Sequence, residues 1–261
     1  MKNKYKMLVL SDLNETTSST IKSSISFAKI INADIDFFYV KKPTEVIEKE
    51  SQLSAMRTIN KEYFSIDKKI KTLIEPISKE YNTPINHTFA IGNIKNEIVD
   101  YLDKNKPDIV LLGRRKNKII NFMGDRITEF VLKKFKGLIL IADDKNCIEP
   151  NKEISLGVFN STNTNSVFVK NIIDSTEKPL KFFKILENST TLKKESFLDD
   201  KKTVEYVFER NNSIIKNISN YLSKNNINLV LVERDKNNKN LTESKIKDVI
   251  KNLDCSLILT P

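Results

Sequence analysis

In 261 residues the chain carries one histidine, two cysteines and five glycines. A single histidine, His87, gives a histidine-based triad or a multi-histidine metal site little to work with. Cys147 and Cys255 lack metal-ligand spacing and have no C-x-x-C partner. Cys255 falls in the last apolar run, where a buried structural thiol is expected. No secretory leader is visible, because Met7-Leu8-Val9-Leu10 is too short for an apolar core region and runs straight into Ser11-Asp12. No stretch approaches a membrane span. The expectation is a cytoplasmic protein without membrane association.

The scarce glycines are unevenly placed, and that asymmetry is informative because the chain repeats itself. The first half runs Phe89-Ala90-Ile91-Gly92-Asn93, then Glu97 to Leu102, then Pro107-Asp108-Ile109-Val110-Leu111-Leu112-Gly113. The second half returns the order as Val204 to Phe208, Ile214 to Leu222, and Ile227-Asn228-Leu229-Val230-Leu231-Val232-Glu233. Each copy closes on a short apolar run, Leu138 to Ile141 and Ser256 to Leu259. Two β-α-β copies imply two similar domains. Glycine in one loop and none in the other implies that only the first could cradle a phosphate. With 39% hydrophobic residues each half can bury a core. The formal charge of +10 comes from lysines scattered through every helix among Glu and Asp. That reads as a composition bias rather than a nucleic-acid patch.

Periodicity places a buried strand at Lys6–Leu10 and a helix with Ile21, Ile25, Ala28 and Ile31 on one face, with Thr16, Thr17, Ser18 and Ser19 as candidate N-caps. A second strand covers Ala33–Val40. From Thr44 to about Tyr81 a charged helix carries Ile66, Ile70, Leu73 and Ile77 as one stripe, and Pro76 is expected to kink or end it. Strands at Ile85–Ala90, Asp108–Leu112 and Leu138–Ile141 alternate with helices at Lys95–Lys104 and Asp125–Phe135. Residues 144–152 read as a linker between a first domain, 1–143, and a second, 153–261. The second domain is a reduced copy: a strand from Ile154, a helix within Asn163–Ser175, a strand at Leu180–Leu186, and a short polar stretch from Ser189 to Lys202 where the first has its long helix. Alternation of this kind means an open parallel sheet with right-handed crossovers and helices on both faces. Ligands then bind beyond the carboxyl ends of the strands, at the loops after Leu10, Val40, Ile91 and Leu112.

The first domain resembles the universal stress protein family, and the whole chain resembles its tandem members. The matching features are a strand ending in Asp12 before a Ser/Thr-rich loop, a strand ending in Tyr39-Val40, a turn with Gly92, and Pro107-Asp108-Ile109-Val110-Leu111-Leu112-Gly113-Arg114-Arg115, which is similar to the family's strand and loop. Glu129 to Lys133 and Leu138 to Ala142 follow the family layout. The resemblance covers residues 5 to 142 well, and beyond 154 mainly the last two strands. It implies two five-stranded, adenine-nucleotide alpha-hydrolase-like α/β units, a regulatory rather than enzymatic role, and an ATP site lined by Asp12, Val40, Gly92, Gly113 and Gly124.

ATP-binding members share a G-x-x-G-x9-G-[ST] loop, and this chain departs from it. Gly113 matches the first glycine. Lys116 stands at the second, Gly124 aligns only if the loop loses two residues, and Asp125 replaces the Ser or Thr. A carboxylate there would cap its own helix and repel a phosphate. Arg114, Arg115, Lys116 and Lys118 would attract an anion, or form a solvated basic loop. Asp12 is either a neighbour of the nucleotide or a strand-end Asp that caps the next helix. Val40 is either a pocket residue or a core valine. In the second half the matching loop, Glu233 to Asn240, and the matching turn, Glu209-Arg210-Asn211-Asn212, have no glycine, and the first strand ends Phe159-Asn160-Ser161 without the Asp, so that unit reads as retained for packing.

Three functions follow as expectations. The first is a non-enzymatic stress-response or regulatory protein, with ATP binding weak or lost and no cofactor. Its closing strands pair with each other inside one chain, a homodimer or an unidentified protein partner adds to this, and nucleic acid is not a partner. The second is an ATP-binding, slowly hydrolysing sensor using the first domain only, in which Gly113→Val abolishes binding with the fold intact. The third is a binder of another anionic or apolar ligand, which needs a cavity under the Thr44–Tyr81 helix.

Overall fold

The computed structural model describes residues 4–42, 52–114, 127–159, 167–176, 179–186, 203–209, 214–234 and 243–261. The first half contains β1 (Tyr5–Ser11), α1 (Thr17–Ile31), β2 (Ala33–Lys41), α2 (Gln52–Glu80), β3 (Ile85–Ile91), α3 (Ile94–Asn105), β4 (Ile109–Gly113), α4 (Ile127–Lys134) and β5 (Leu138–Ala142). The second contains β6 (Leu156–Phe159), α5 (Val167–Asp174), β7 (Leu180–Leu186), β8 (Thr203–Glu209), α6 (Ile214–Lys224), β9 (Leu229–Glu233), α7 (Glu243–Asn252) and β10 (Ser256–Thr260).

Among the described residues, the ten strands form one sheet in the order β3-β2-β1-β4-β5-β10-β9-β6-β7-β8. Within each half every pairing is parallel, as short apolar strands joined by crossover helices require. The halves meet where β5 and β10 pair antiparallel, Ile139 with Leu259, Leu140 with Ile258 and Ile141 with Leu257. The closing strands thus pair inside one chain. A parallel sheet with an apolar edge strand at its end needs a neighbour, and each half supplies the other's.

Period-2 alternation sorts the strand side chains onto two covered faces. Met7, Val9, Phe37, Leu111, Leu140, Val158, Phe182 and Leu231 pack under α1, α2 and α5. Leu8, Leu10, Val110, Ile139, Phe183, Val232 and Leu257 pack under α3, α4, α6 and α7.

Several elements differ from the sequence expectation. Pro76 does not end α2, which continues through it to Glu80. Burial of Ile66, Ile70, Ile74 and Ile77 holds the helix against the sheet, and this outweighs the backbone hydrogen bond that the proline removes. Thr16 is the N-cap of the first helix, as one of the expected candidates, but its side chain makes no capping bond; Asn14 Oδ1 instead accepts from the Thr16 N–H (2.7 Å) and hydroxyl (2.8 Å). Helix α7 was not expected from the sequence, although Val249, Ile250 and Leu253 are buried at helical spacing.

One ion-pair cluster fastens α2 to the edge strand β3. Asp67 lies 2.9 Å from His87 Nε2 and 2.7 Å from Lys71 Nζ. His87, then Lys71, hold the Asp67 carboxyl below its ordinary pKa. The unfolded chain binds that proton more readily, so the pairing stabilises the fold above the ordinary aspartate range and is lost as pH falls through it. Thermal melts of the natural chain and of Asp67→Asn are expected to differ at neutral pH and to converge in acid. A constant difference would mean that the carboxylate contributes nothing.

Candidate functional site

The strand order turns back between β1 and β4, and the crevice beyond their carboxyl ends is where an open α/β sheet receives a ligand. The register sets Leu10 beside Leu112, so Ser11 and Gly113 are level and Asp12 begins the loop beside them. Leu13 follows in the left-handed region (φ 56°) with its side chain buried in the core. Asp12 accepts a hydrogen bond from Asn14 Nδ2 at 2.6 Å. Because Asn14 Oδ1 faces the Thr16 donors, its amide nitrogen must face Asp12. Asp12, half-buried, thus supports the helix cap through Asn14. Ser11 Oγ and Thr17 Oγ1, 2.9 Å apart, close the same corner.

Gly113 ends β4 on the face covered by α1. A Cβ built on it would overlap Thr20 Oγ1, the hydroxyl that donates to Thr16 O at 3.1 Å. Glycine at 113 is therefore demanded by helix packing, whatever a ligand requires. Gly92 is similar. A Cβ there would overlap the Glu97 carboxylate, which folds back from the first turn of α3 over the turn. The Gly92 N–H donates to Lys41 O at 2.9 Å. Val40, 8% exposed, packs in the core with Leu8, Leu10 and Phe38. Across the carboxyl edge the order is thus Gly92, Val40, Asp12, Gly113. Asp12 and Gly113 are neighbours, Val40 lies one strand away and Gly92 beyond it. Gly124, Asp125, Arg115, Lys116 and Lys118 lie outside the described residues.

Arg114 departs from both sequence readings: it neither faces an anion nor sits in a solvated loop. Alternation sends it to the opposite face from Gly113, and it is 2% exposed. Its guanidinium crosses the seam and donates to Leu253 O and, at 2.9 Å, to Cys255 O, just before β10. Its backbone N–H donates to Ala142 O at 2.7 Å.

The second half returns the gesture. Arg234 follows β9 as Arg114 follows β4. It donates to Gly137 O and, at 3.3 Å, to Phe135 O, just before β5, and to Thr260 O. Its backbone N–H donates to Thr260 O at 3.0 Å. Each half therefore sends one arginine to the carbonyls that open the other's closing strand. Burial pulls the Arg234 pKa down to about 10, which leaves it cationic at neutral pH. This pair was not found from sequence. Its signal was present, because arginine recurs at the same step of both copies, Leu112-Gly113-Arg114 and Val232-Glu233-Arg234, where glycine does not. Glu233, buried, occupies the place of Gly113 in the second half, so that half has no glycine at this step.

The segment between the halves is docked as well. Ile148 donates its N–H to Ser23 Oγ (3.2 Å) and accepts from Ser26 Oγ (3.3 Å) on α1, and Asn146 Nδ2 donates to Asp254 O (2.9 Å). Among the described residues no cluster of three or more His, Cys, Asp or Glu could hold a metal ion, and no helix is long and apolar enough to cross a membrane.

No protein-family model and no curated protein matches this sequence. Solved structures do match. A universal stress protein from Archaeoglobus fulgidus is similar over 98% of this chain and 97% of its own, with a TM-score of 0.68 and 14% identity. A functionally unknown protein from Pseudomonas aeruginosa is similar over 98% of this chain and 92% of its own, with a TM-score of 0.60 and 9% identity. At such identities the likeness is one of fold, and it spans both halves. This end-to-end likeness gives the chain the fold of a universal stress protein in its tandem, two-unit form.

Proposed function

We propose that this chain is a non-enzymatic stress-response or regulatory protein whose two units, residues 1–143 and 153–261 joined by 144–152, act as one body with ATP binding weak or lost. One observation carries this reading: the first cation after Gly113 is buried and committed to the other half, so it cannot meet a phosphate. Two others support it. Gly92 is roofed by the Glu97 carboxylate, and Glu233 replaces glycine in the second half. Like charge opposes a triphosphate at the first of these places.

A second reading, an ATP-binding sensor using the first half, is favoured by Asp12. Its half-buried carboxylate stands beside the start of α1 at the point where the strand order reverses. A third reading, a pocket for another small ligand under α2, is opposed by that helix, whose isoleucine stripe is buried against the sheet.

Calorimetry with ATP, with and without magnesium, tests these readings. The first expects at most a weak, unsaturated heat at millimolar ATP. One site per chain would establish the second reading in its place.

A further inference from the structure

The sheet has two outer edges, β3 and β8, and the internal repeat makes them equivalents. Ile35 stands beside Ile85, and Leu180 in the same place stands beside Thr203. Their chemistry differs. On the α3 side β3 carries Asn86 and Thr88, and on its other side Phe89 is covered by Tyr63 of α2, with ring centroids 5.0 Å apart. At the same positions β8 carries Val204 and Tyr206, and Val207 stands in the place of Phe89. Val204 is 38% exposed and Val207 44% exposed. The mid-strand charge, Glu205, is engaged by Lys184 of β7 at 3.0 Å. No lysine or proline interrupts Thr203–Glu209. Protein edges are normally blunted by lysine, proline or a covering element. The polar β3 edge fits that rule, whereas the β8 edge, among the described residues, does not. Behind β8, Tyr206 packs on Tyr221 (4.4 Å) and on Phe183 (5.8 Å), which stiffens the strand.

We propose that β8 is a self-association edge on which two copies of this chain pair antiparallel about a two-fold axis centred on Tyr206, continuing one sheet through both. The register follows from charge and length. A two-fold axis normal to the sheet keeps each residue on its own face, so it must pass through a residue. Centred on 205 it sets glutamate against glutamate, and centred on 207 it sets position 205 against 209, both Glu. Like charges directly opposite are destabilising. Centred on 204 it leaves most of the strand unpaired. Centred on Tyr206 it pairs all seven residues, Thr203 with Glu209, Val204 with Phe208 and Glu205 with Val207, and no like charges meet. A second copy is the favoured occupant because this strand is complementary to itself in a single register. The inference is independent of whether ATP binds.

Sedimentation velocity over a concentration series tests it. The interface rests on one strand per copy, less than the roughly 1,200–2,000 Å² of a stable complex, so a dimer that dissociates on dilution is expected. Val207→Glu, at an exposed position, sets glutamate against Glu205 of the second copy twice over and is expected to give monomer at every concentration. Asn86→Lys, on the other edge, is expected to leave the dimer unchanged. With Cys147 replaced by serine, mixed Glu205→Cys and Val207→Cys chains are expected to form a disulfide-linked dimer on oxidation, and either protein alone far less. A wild-type monomer at all concentrations overturns the proposal. So does a dimer that survives Val207→Glu, or equal cross-linking of Glu205→Cys with itself.

Discussion

Arg114→Ala is expected to lower unfolding stability by about 3 kcal/mol, read as a fall in the urea midpoint. Two opposing effects set this figure. The substitution removes two hydrogen bonds from a charged donor, each about 1.5–3 kcal/mol, and strands the Leu253 and Cys255 carbonyls in a buried place. It also relieves the burial of a guanidinium whose Nε has no partner, which is the smaller effect because the remaining donors are matched. Arg114→Met refills the stem volume and is expected to recover about 1 kcal/mol. Arg234→Ala is expected to cost less, about 1–2 kcal/mol, because that side chain is only partly buried. The two arginines hold opposite ends of the β5–β10 seam and share no acceptor, so their effects are expected to add. Unchanged stability in Arg114→Ala would mean that the seam is held by strand pairing alone.

The second large effect is at Gly113. If a glycine there served only a ligand, Gly113→Val would fold normally. The structure gives a different expectation. Any Cβ at 113 must displace the Thr20 hydroxyl from its bond to Thr16, inside a packed helix–sheet contact. Gly113→Val is expected to cost about 2–3 kcal/mol, near the upper range for overpacking. Gly113→Ala is expected to cost about 1–2 kcal/mol, and most of that is expected to return when Thr20→Ala is added, because the clash is with Oγ1 itself. A double variant no better than Gly113→Ala would remove Thr20 as the cause. Loss of ligand binding in Gly113→Val would therefore say nothing about phosphates unless stability is measured beside it.

These two residues mark what could be read beforehand. Gly113 stands out in the sequence, because a glycine after an apolar strand is conspicuous in a chain with so few. The reason for it was hidden, since Thr20 lies more than ninety positions away and only the packing of α1 on the sheet brings it near. Arg114 was read with its basic neighbours, because a run of cations looks like a solvated or anion-seeking loop. Its burial depends on strand alternation together with a partner 139 residues away, which no local pattern contains. The same holds for Pro76, whose helix-breaking tendency is a local preference that tertiary burial of the isoleucine stripe overrode. Helix α7 is the reverse case, because the spacing of Val249, Ile250 and Leu253 is a helical one set within a few residues.

By itself the sequence determined the alternation of strands and helices, the repeat, the apolar character of each closing strand and the absence of glycine from the second loop. All of these are short-range properties, set by side-chain period and backbone freedom within a few residues. Only the tertiary structure decided that β5 and β10 join antiparallel, that Arg114 and Arg234 cross that seam in opposite directions, and that β8 rather than β3 is left apolar at its edge. Those outcomes depend on which distant surfaces a folded chain brings together, and burial of charge and apolar area is settled there.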